Sequence, residues 1–331
     1  MITEKTVFVL GAGASFPYRY PIGEALKTNI CNGQLFKKIA LIKNHIPPED
    51  KHDIKTETFV ALANKLVDRL KQSPDSIDLF LYSNPELSNI GKMAILLNIF
   101  HAERESISIT ECVDGGDWYS RIFYEMRRGF TDPTNCIEFG DNNVVFITFN
   151  YDRSLEHFFY NGLINSFEKN SQKEILETLN KIPIHHVYGK IAPFVWEDIG
   201  DINTIAIDHL KSVTWERFHK SINFKTLFGL KDNIKTIYER QQMNYDVVHD
   251  YLKDAKRVFF LGFGFADENM AIFRNIKFNK LPKIIATTLG LETVDTERAK
   301  QAIIKSFNIQ NPKMVETKDM DCLTVLKNYL Y

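Results

Sequence analysis

The stretch Thr6-Val7-Phe8-Val9-Leu10-Gly11-Ala12-Gly13-Ala14-Ser15 decides the fold. Five residues, β-branched or apolar, run without polar alternation into a turn of glycine and alanine. An uninterrupted run of this length suits a strand buried on both faces, as in a parallel sheet. Glycines directly after it let the chain turn sharply and let backbone N–H groups approach a bound phosphate. A tight strand-to-helix turn with no ligand has the same pattern. Two stronger phosphate signatures are missing. Phe16 stands where the dinucleotide-binding fingerprint has its third glycine, and Gly91-Lys92 and Gly189-Lys190 lack the following magnesium-binding hydroxyl.

Working outward, Val144–Phe149 and Arg257–Leu261 repeat the pattern, each a short apolar run ending in a polar or glycine-rich turn. Ile182–Tyr188 and Lys283–Thr288 are further strand candidates. Helical periodicity marks Glu57–Lys71, Ile90–Arg104, Trp118–Arg128, Arg153–Phe167, Lys173–Asn180, Asn244–Ala255 and Thr296–Phe307. Strands alternating with helices predict an α/β fold, a Rossmann-like parallel sheet with helices on both faces. The first two strands are far apart, which predicts one domain carrying a large helical insertion over about residues 24–140. A second insertion is expected over about 197–245. Pro47-Pro48 and the charged residues 50–55 mark a loop inside the first.

Composition narrows the function classes. The 331 residues suffice for a sizeable core. Hydrophobic residues at 44% and charged ones at 25% exclude a disordered or fibrous chain. With 41 basic and 42 acidic residues the formal net charge is −1, so no global field draws the chain to nucleic acid or to an acidic membrane. Cys31, Cys112, Cys136 and Cys322 form no C-x-x-C pair, so no metal is expected, and they read as reduced thiols of a cytoplasmic protein. No apolar run reaches the roughly 18 residues of a membrane helix. Thr6–Ala14 faintly resembles a signal peptide, but the Met-Ile-Thr-Glu-Lys before it has no net positive charge.

Polar groups cluster after three of the strands, at the sheet edge where open α/β folds bind ligands. Thr148-Phe149-Asn150-Tyr151-Asp152 follows one. Asn150 offers a donor and an acceptor, suited to ribose hydroxyls or a carboxamide; a plain turn residue fits as well. Asp152 can bind a hydroxyl or amide, or cap the helix beginning near Ser154. In Ile184-His185-His186-Val187-Tyr188-Gly189, alternation puts His186 and Tyr188 on one face and His185 on the other. An imidazole can act as a base near neutral pH and Tyr188 can orient a substrate; a buried, hydrogen-bonded histidine is the alternative. Gly262-Phe263-Gly264-Phe265-Ala266-Asp267-Glu268-Asn269 is a second glycine turn, either lying against a ribose or simply starting a helix.

In this order, Gly11–Ser15, Thr148–Asp152, His186–Gly189 and Gly262–Asn269 resemble the motifs of the sirtuin-like family. Within that family the sequence is most similar to the bacterial sirtuin-like proteins of anti-phage defence, whose segments Ser76–Leu81 and Thr288–Glu292 also resemble. The resemblance implies a Rossmann-type site for NAD. Gly11, Ala12, Gly13 and Ser15 would cradle the pyrophosphate. Thr148, Asn150 and Asp152 match the T-Q-N-x-D motif, whose asparagine and aspartate hold the nicotinamide ribose and carboxamide; Phe149 replaces its glutamine. Gly262 and Gly264, with Asp267, would flank the adenosine ribose. Sirtuins place a catalytic histidine immediately before a glycine, and here that residue is Tyr188. His186, about 7 Å back along the strand, is the candidate for the role. The four-cysteine zinc module of the deacylating sirtuins has no counterpart, which makes water the expected acceptor.

The resemblance therefore implies an NAD+ hydrolase that takes NAD+ as substrate and yields nicotinamide and ADP-ribose. Asn150, His186 and Asp152 are its expected catalytic residues; Thr148 and Tyr188 join the binding set. In the defence setting it implies a latent enzyme that depletes NAD+, controlled through a homo-oligomer or an activating partner protein. A non-catalytic NAD or ADP-ribose sensor is the alternative, with protein deacylation or ADP-ribosyl transfer behind it.

Overall fold

The computed structural model describes residues 1–33, 56–110, 116–194, 224–236, 239 and 245–331. Cys112, the loop expected at 47–55 and most of the stretch 197–245 lie outside the described residues. The chain divides into two compact units. One comprises Met1–Tyr18, Ser108–Val187 and Gln242–Tyr331; the other comprises Arg19–Ile107 and Tyr188–Gln241.

The first unit holds a six-stranded parallel sheet: β1 (Thr6–Leu10), β2 (Val144–Thr148), β3 (Ile184–His186), β4 (Arg257–Leu261), β5 (Lys283–Thr287) and β6 (Val315–Lys318). Its order is β3-β2-β1-β4-β5-β6, so the fold is α/β and Rossmann-like. The strands step one way from β1 to β3 and the other way from β4 to β6. Right-handed crossovers then put helices on opposite faces in the two halves. All five residues of β1 and of β2 are buried, which is why neither alternates. Register explains the aromatic content. Phe8 pairs with Phe146 and Phe259 across the two neighbouring strands, and their rings stack at 5.1 and 5.4 Å.

The helices that matter most to this unit are α1 (Trp118–Arg127) and α2 (Ser154–Ser166). Asp117 caps α1, accepting from Tyr119 N and Ser120 N. Helix α1 was expected inside the insertion that reaches residue 140, yet it belongs to the sheet unit, and the long excursion from the sheet ends near 107. The reason is its buried face, Trp118, Tyr119, Ile122 and Phe123, whose rings pack on the sheet unit's own core.

The second unit is helical where described, with Gly23–Cys31, Thr56–Gln72, Ile77–Ser83, Ser88–Thr110 and Phe224–Leu230. Residues 108–110 of the fourth of these fall in the sheet unit. Ser76 caps the third through Leu79 N. The two chain segments of this unit are joined by buried Lys92, whose Nζ lies 2.7 Å from Glu239 Oε1. Among the described residues, no helix is long and apolar enough to cross a membrane, and no three His, Cys, Asp or Glu are grouped to hold a metal. Cys31, Cys136 and Cys322 are buried free thiols, and burial pushes Cys322 up to about 12.

Candidate functional site

The strand order reverses between β1 and β4, so the turns following these two strands meet at the switch point. They lock together through backbone. Gly11 N donates to Leu261 O at 3.0 Å and Gly13 N donates to Gly262 O at 2.9 Å. A Cβ on Gly11 would sit 2.5 Å from Gly262 O. Gly262 itself has φ +56, a conformation that favours glycine, and faces the Gly13–Ala14 backbone. These glycines are thus required by the fit of one turn on the other. Gly264 differs: it is exposed, and a Cβ there would meet nothing within 4 Å.

On the β1–β2–β3 side, buried polar groups converge. The Asn150 amide nitrogen Nδ2 donates to Gly11 O at 2.9 Å and to Ser15 Oγ at 3.0 Å. A backbone carbonyl only accepts, so Nδ2 must face Gly11 and the amide orientation follows. Its carbonyl Oδ1 is left as an acceptor with no partner among the described residues, on a half-buried side chain. Asn150 N donates to Thr148 Oγ1 at 3.1 Å. Asp152 is buried and accepts from Ser154 N at 3.2 Å, from Ser154 Oγ and from Ser15. Burial raises its carboxyl above the usual carboxylate range, and the serine hydrogen bonds oppose that rise.

His186 closes the cluster from β3. Its Nδ1 lies 3.0 Å from Asn150 O and its Nε2 lies 2.7 Å from Glu156 Oε1 on α2. Both side chains are buried. Helix α1 clamps the β1 turn from the far side. Trp118 Nε1 donates to Ala14 O at 2.8 Å. The Tyr119 hydroxyl lies 2.6 Å from Ser154 Oγ, and its ring stacks on Tyr18 at 3.9 Å. Burial, with Asp152 nearby, pushes the Tyr119 hydroxyl far above its ordinary range, so it stays protonated.

The structure therefore brings together Gly11, Ser15, Thr148, Asn150, Asp152 and His186. Several expected details change. Ser15, expected at a pyrophosphate, turns its hydroxyl inward to Asn150 and Asp152. The strand holding His186 ends at that residue. Val187 N makes the last bond to Thr148 O, and Tyr188 lies in a turn before Gly189 (φ +78). Strand alternation therefore does not put Tyr188 on the face of His186; buried Tyr188 belongs to the helical unit, where its carbonyl accepts from Lys235 N. Asp267 is exposed in the first turn of Asp267–Met270 and does not cap it. Asp152 is not the N-cap of α2, which is Arg153, but it accepts from the first N–H of that helix while buried in the cluster. Ala12 is exposed on the β1 turn and Gly13 half-buried.

Three members of the cluster escaped the sequence reading: Glu156, Ser154 and Tyr119. Glu156 had a signal, as an acidic residue in the first turn of the helix that follows Asp152. Tyr119 had none, because its helix is separated by the long first excursion.

The sheet order and the cluster at its carboxyl edge define an α/β protein of Rossmann-like architecture with a buried polar site beside the switch point. No protein-family model matches this chain, and no curated protein matches it.

Proposed function

We propose that the chain is an NAD+ hydrolase. Water adds to C1′ of the nicotinamide ribose as the C1′–N bond breaks. The bond's electron pair stays on the pyridine nitrogen, which leaves as neutral nicotinamide, and the water's proton passes to solvent. The transition state resembles an oxocarbenium ion, as in glycoside cleavage generally. It calls for a held ribose, an oriented nucleophile and a nearby negative charge rather than a strong acid. The observation that carries the reading is Asn150: its Nδ2 is locked by Gly11 O and Ser15 Oγ, which leaves Oδ1 as an aimed acceptor. In this reading Oδ1 orients the attacking water, and Asp152, when ionised, favours the developing positive charge. Exposed Gly264 offers the adenosine ribose a close approach to backbone, and exposed Ala12 faces the pyrophosphate, since the Gly11 and Gly13 N–H groups are already donated to Leu261 O and Gly262 O. The sirtuin-like resemblance supports the substrate. It also supports a cytoplasmic role in anti-phage NAD+ depletion, released by oligomerisation or an activating partner.

A second reading, an NAD or ADP-ribose sensor without turnover, is favoured by one observation. Both nitrogens of His186 are engaged within the chain, so its expected role as base requires the contact to Glu156 to open. Mass spectrometry of NAD+ incubated with the purified protein tests both. Nicotinamide with ADP-ribose supports the hydrolase, O-acyl-ADP-ribose in the presence of an acylated peptide points to deacylation, and retained intact NAD+ points to the sensor.

A further inference from the structure

We infer that His186 is a positioning residue, and that Glu156 and His186 together hold the Asn150 main chain so that its side chain stays aimed. The inference rests on the reading of Asn150 as the group that meets substrate, and it gives His186 a role other than that of a base.

Asn150 O can only accept, so His186 Nδ1 carries a hydrogen and donates it. Nε2 then faces a carboxylate oxygen at 2.7 Å, and one further proton lies between them, on the imidazole or on Glu156. In either state no ring nitrogen is left to take a proton from water or a ribose hydroxyl. The ring instead spans 36 residues of chain, from β3 to the turn after β2. Asn150 is thereby held at both ends: its carbonyl by His186, its amide by Gly11 O and Ser15 Oγ. Glu156 sits in the first turn of α2 and supplies the acidic partner that keeps the ring oriented. Among the described residues, the charged and titratable groups around the pair include Asp152 and the adjacent His185, on both of which His186 acts, and Tyr119, on which Glu156 acts.

Substitution separates the two roles. In His186→Asn, an amide nitrogen replaces Nδ1 as donor to Asn150 O, while every basic nitrogen is lost. A positioning role predicts turnover within about tenfold of wild type in His186→Asn and a loss of about a hundredfold in His186→Ala. The acid limb of the pH–rate profile should be the same in wild type and His186→Asn. Loss of turnover in folded His186→Asn equal to that in His186→Ala, or disappearance of the acid limb, would overturn the inference. Nitrogen-15 NMR of the imidazole reads the same claim without turnover. A slowly exchanging Nδ1 proton, with Nε2 shifted by Glu156→Gln, is expected; a freely exchanging ring indifferent to that change would overturn it. If wild type binds NAD+ but never cleaves it, the hydrolase reading fails while the NMR result still decides the pair.

Discussion

Two contacts between a carboxylate oxygen and a side-chain nitrogen, one in each unit, share the same 2.7 Å distance and differ in everything around it. Lys92–Glu239 joins two segments of the helical unit, 147 residues apart. Glu239 is otherwise satisfied by Thr236 N and Oγ1. That pair ends on itself. His186–Glu156 continues, through the second ring nitrogen, to the backbone of Asn150. A buried ion pair alone is weak evidence of anything beyond its own desolvation. What distinguishes the second pair is where its remaining atoms go.

The largest stability effect should come from the first pair. Lys92→Ala leaves Glu239 without its cation and should cost about 3 kcal/mol, the low end for a buried pair because Glu239 is partly exposed. Urea unfolding measures it, and nicotinamide release per folded molecule should persist. Next, Glu156→Ala leaves His186 Nε2 buried without that partner and should cost about 1–3 kcal/mol. Here turnover should fall as well. Equal loss of turnover in both variants would erase the distinction between the pairs.

The smallest effect has the opposite sign. Burial raises the Asp152 carboxyl, so ionising it in the folded protein is unfavourable. Below the unfolded carboxylate value the group is protonated in both states and costs nothing. As pH rises through the folded value, that stability is lost. Asp152→Asn should therefore melt about 1–3 °C higher at pH 7.5, with the gain shrinking as pH approaches 4, while turnover drops. Calorimetry at several pH values checks it.

Much of the sheet was legible because continuous apolar runs bounded by glycine have few alternatives. Thr6–Leu10 and Arg257–Leu261 are strands over those spans. Val315–Lys318 was not legible, since only Val315 of its four residues is buried and Glu316, Thr317 and Lys318 read as polar surface. The strand at Ile182–Tyr188 was drawn too long at both ends, because an apolar pattern does not reveal the turn that Gly189 permits. Asn150 and Asp152 were singled out by their place after a strand, and His186 by its place on one. What they bond to was hidden, because Ser15, Tyr119 and Glu156 arrive from three other elements.

The most direct test of the account compares nicotinamide release from NAD+ by wild type and by Asn150→Ala, by mass spectrometry, with unfolding midpoints measured alongside. The account predicts release by wild type and a fall of about 10²–10³ in the variant, the usual cost of removing one aimed polar group, with the midpoint lowered by a few degrees as the hydrogen bonds to Gly11 O and Ser15 Oγ are lost. Release by folded Asn150→Ala at the wild-type rate would contradict it.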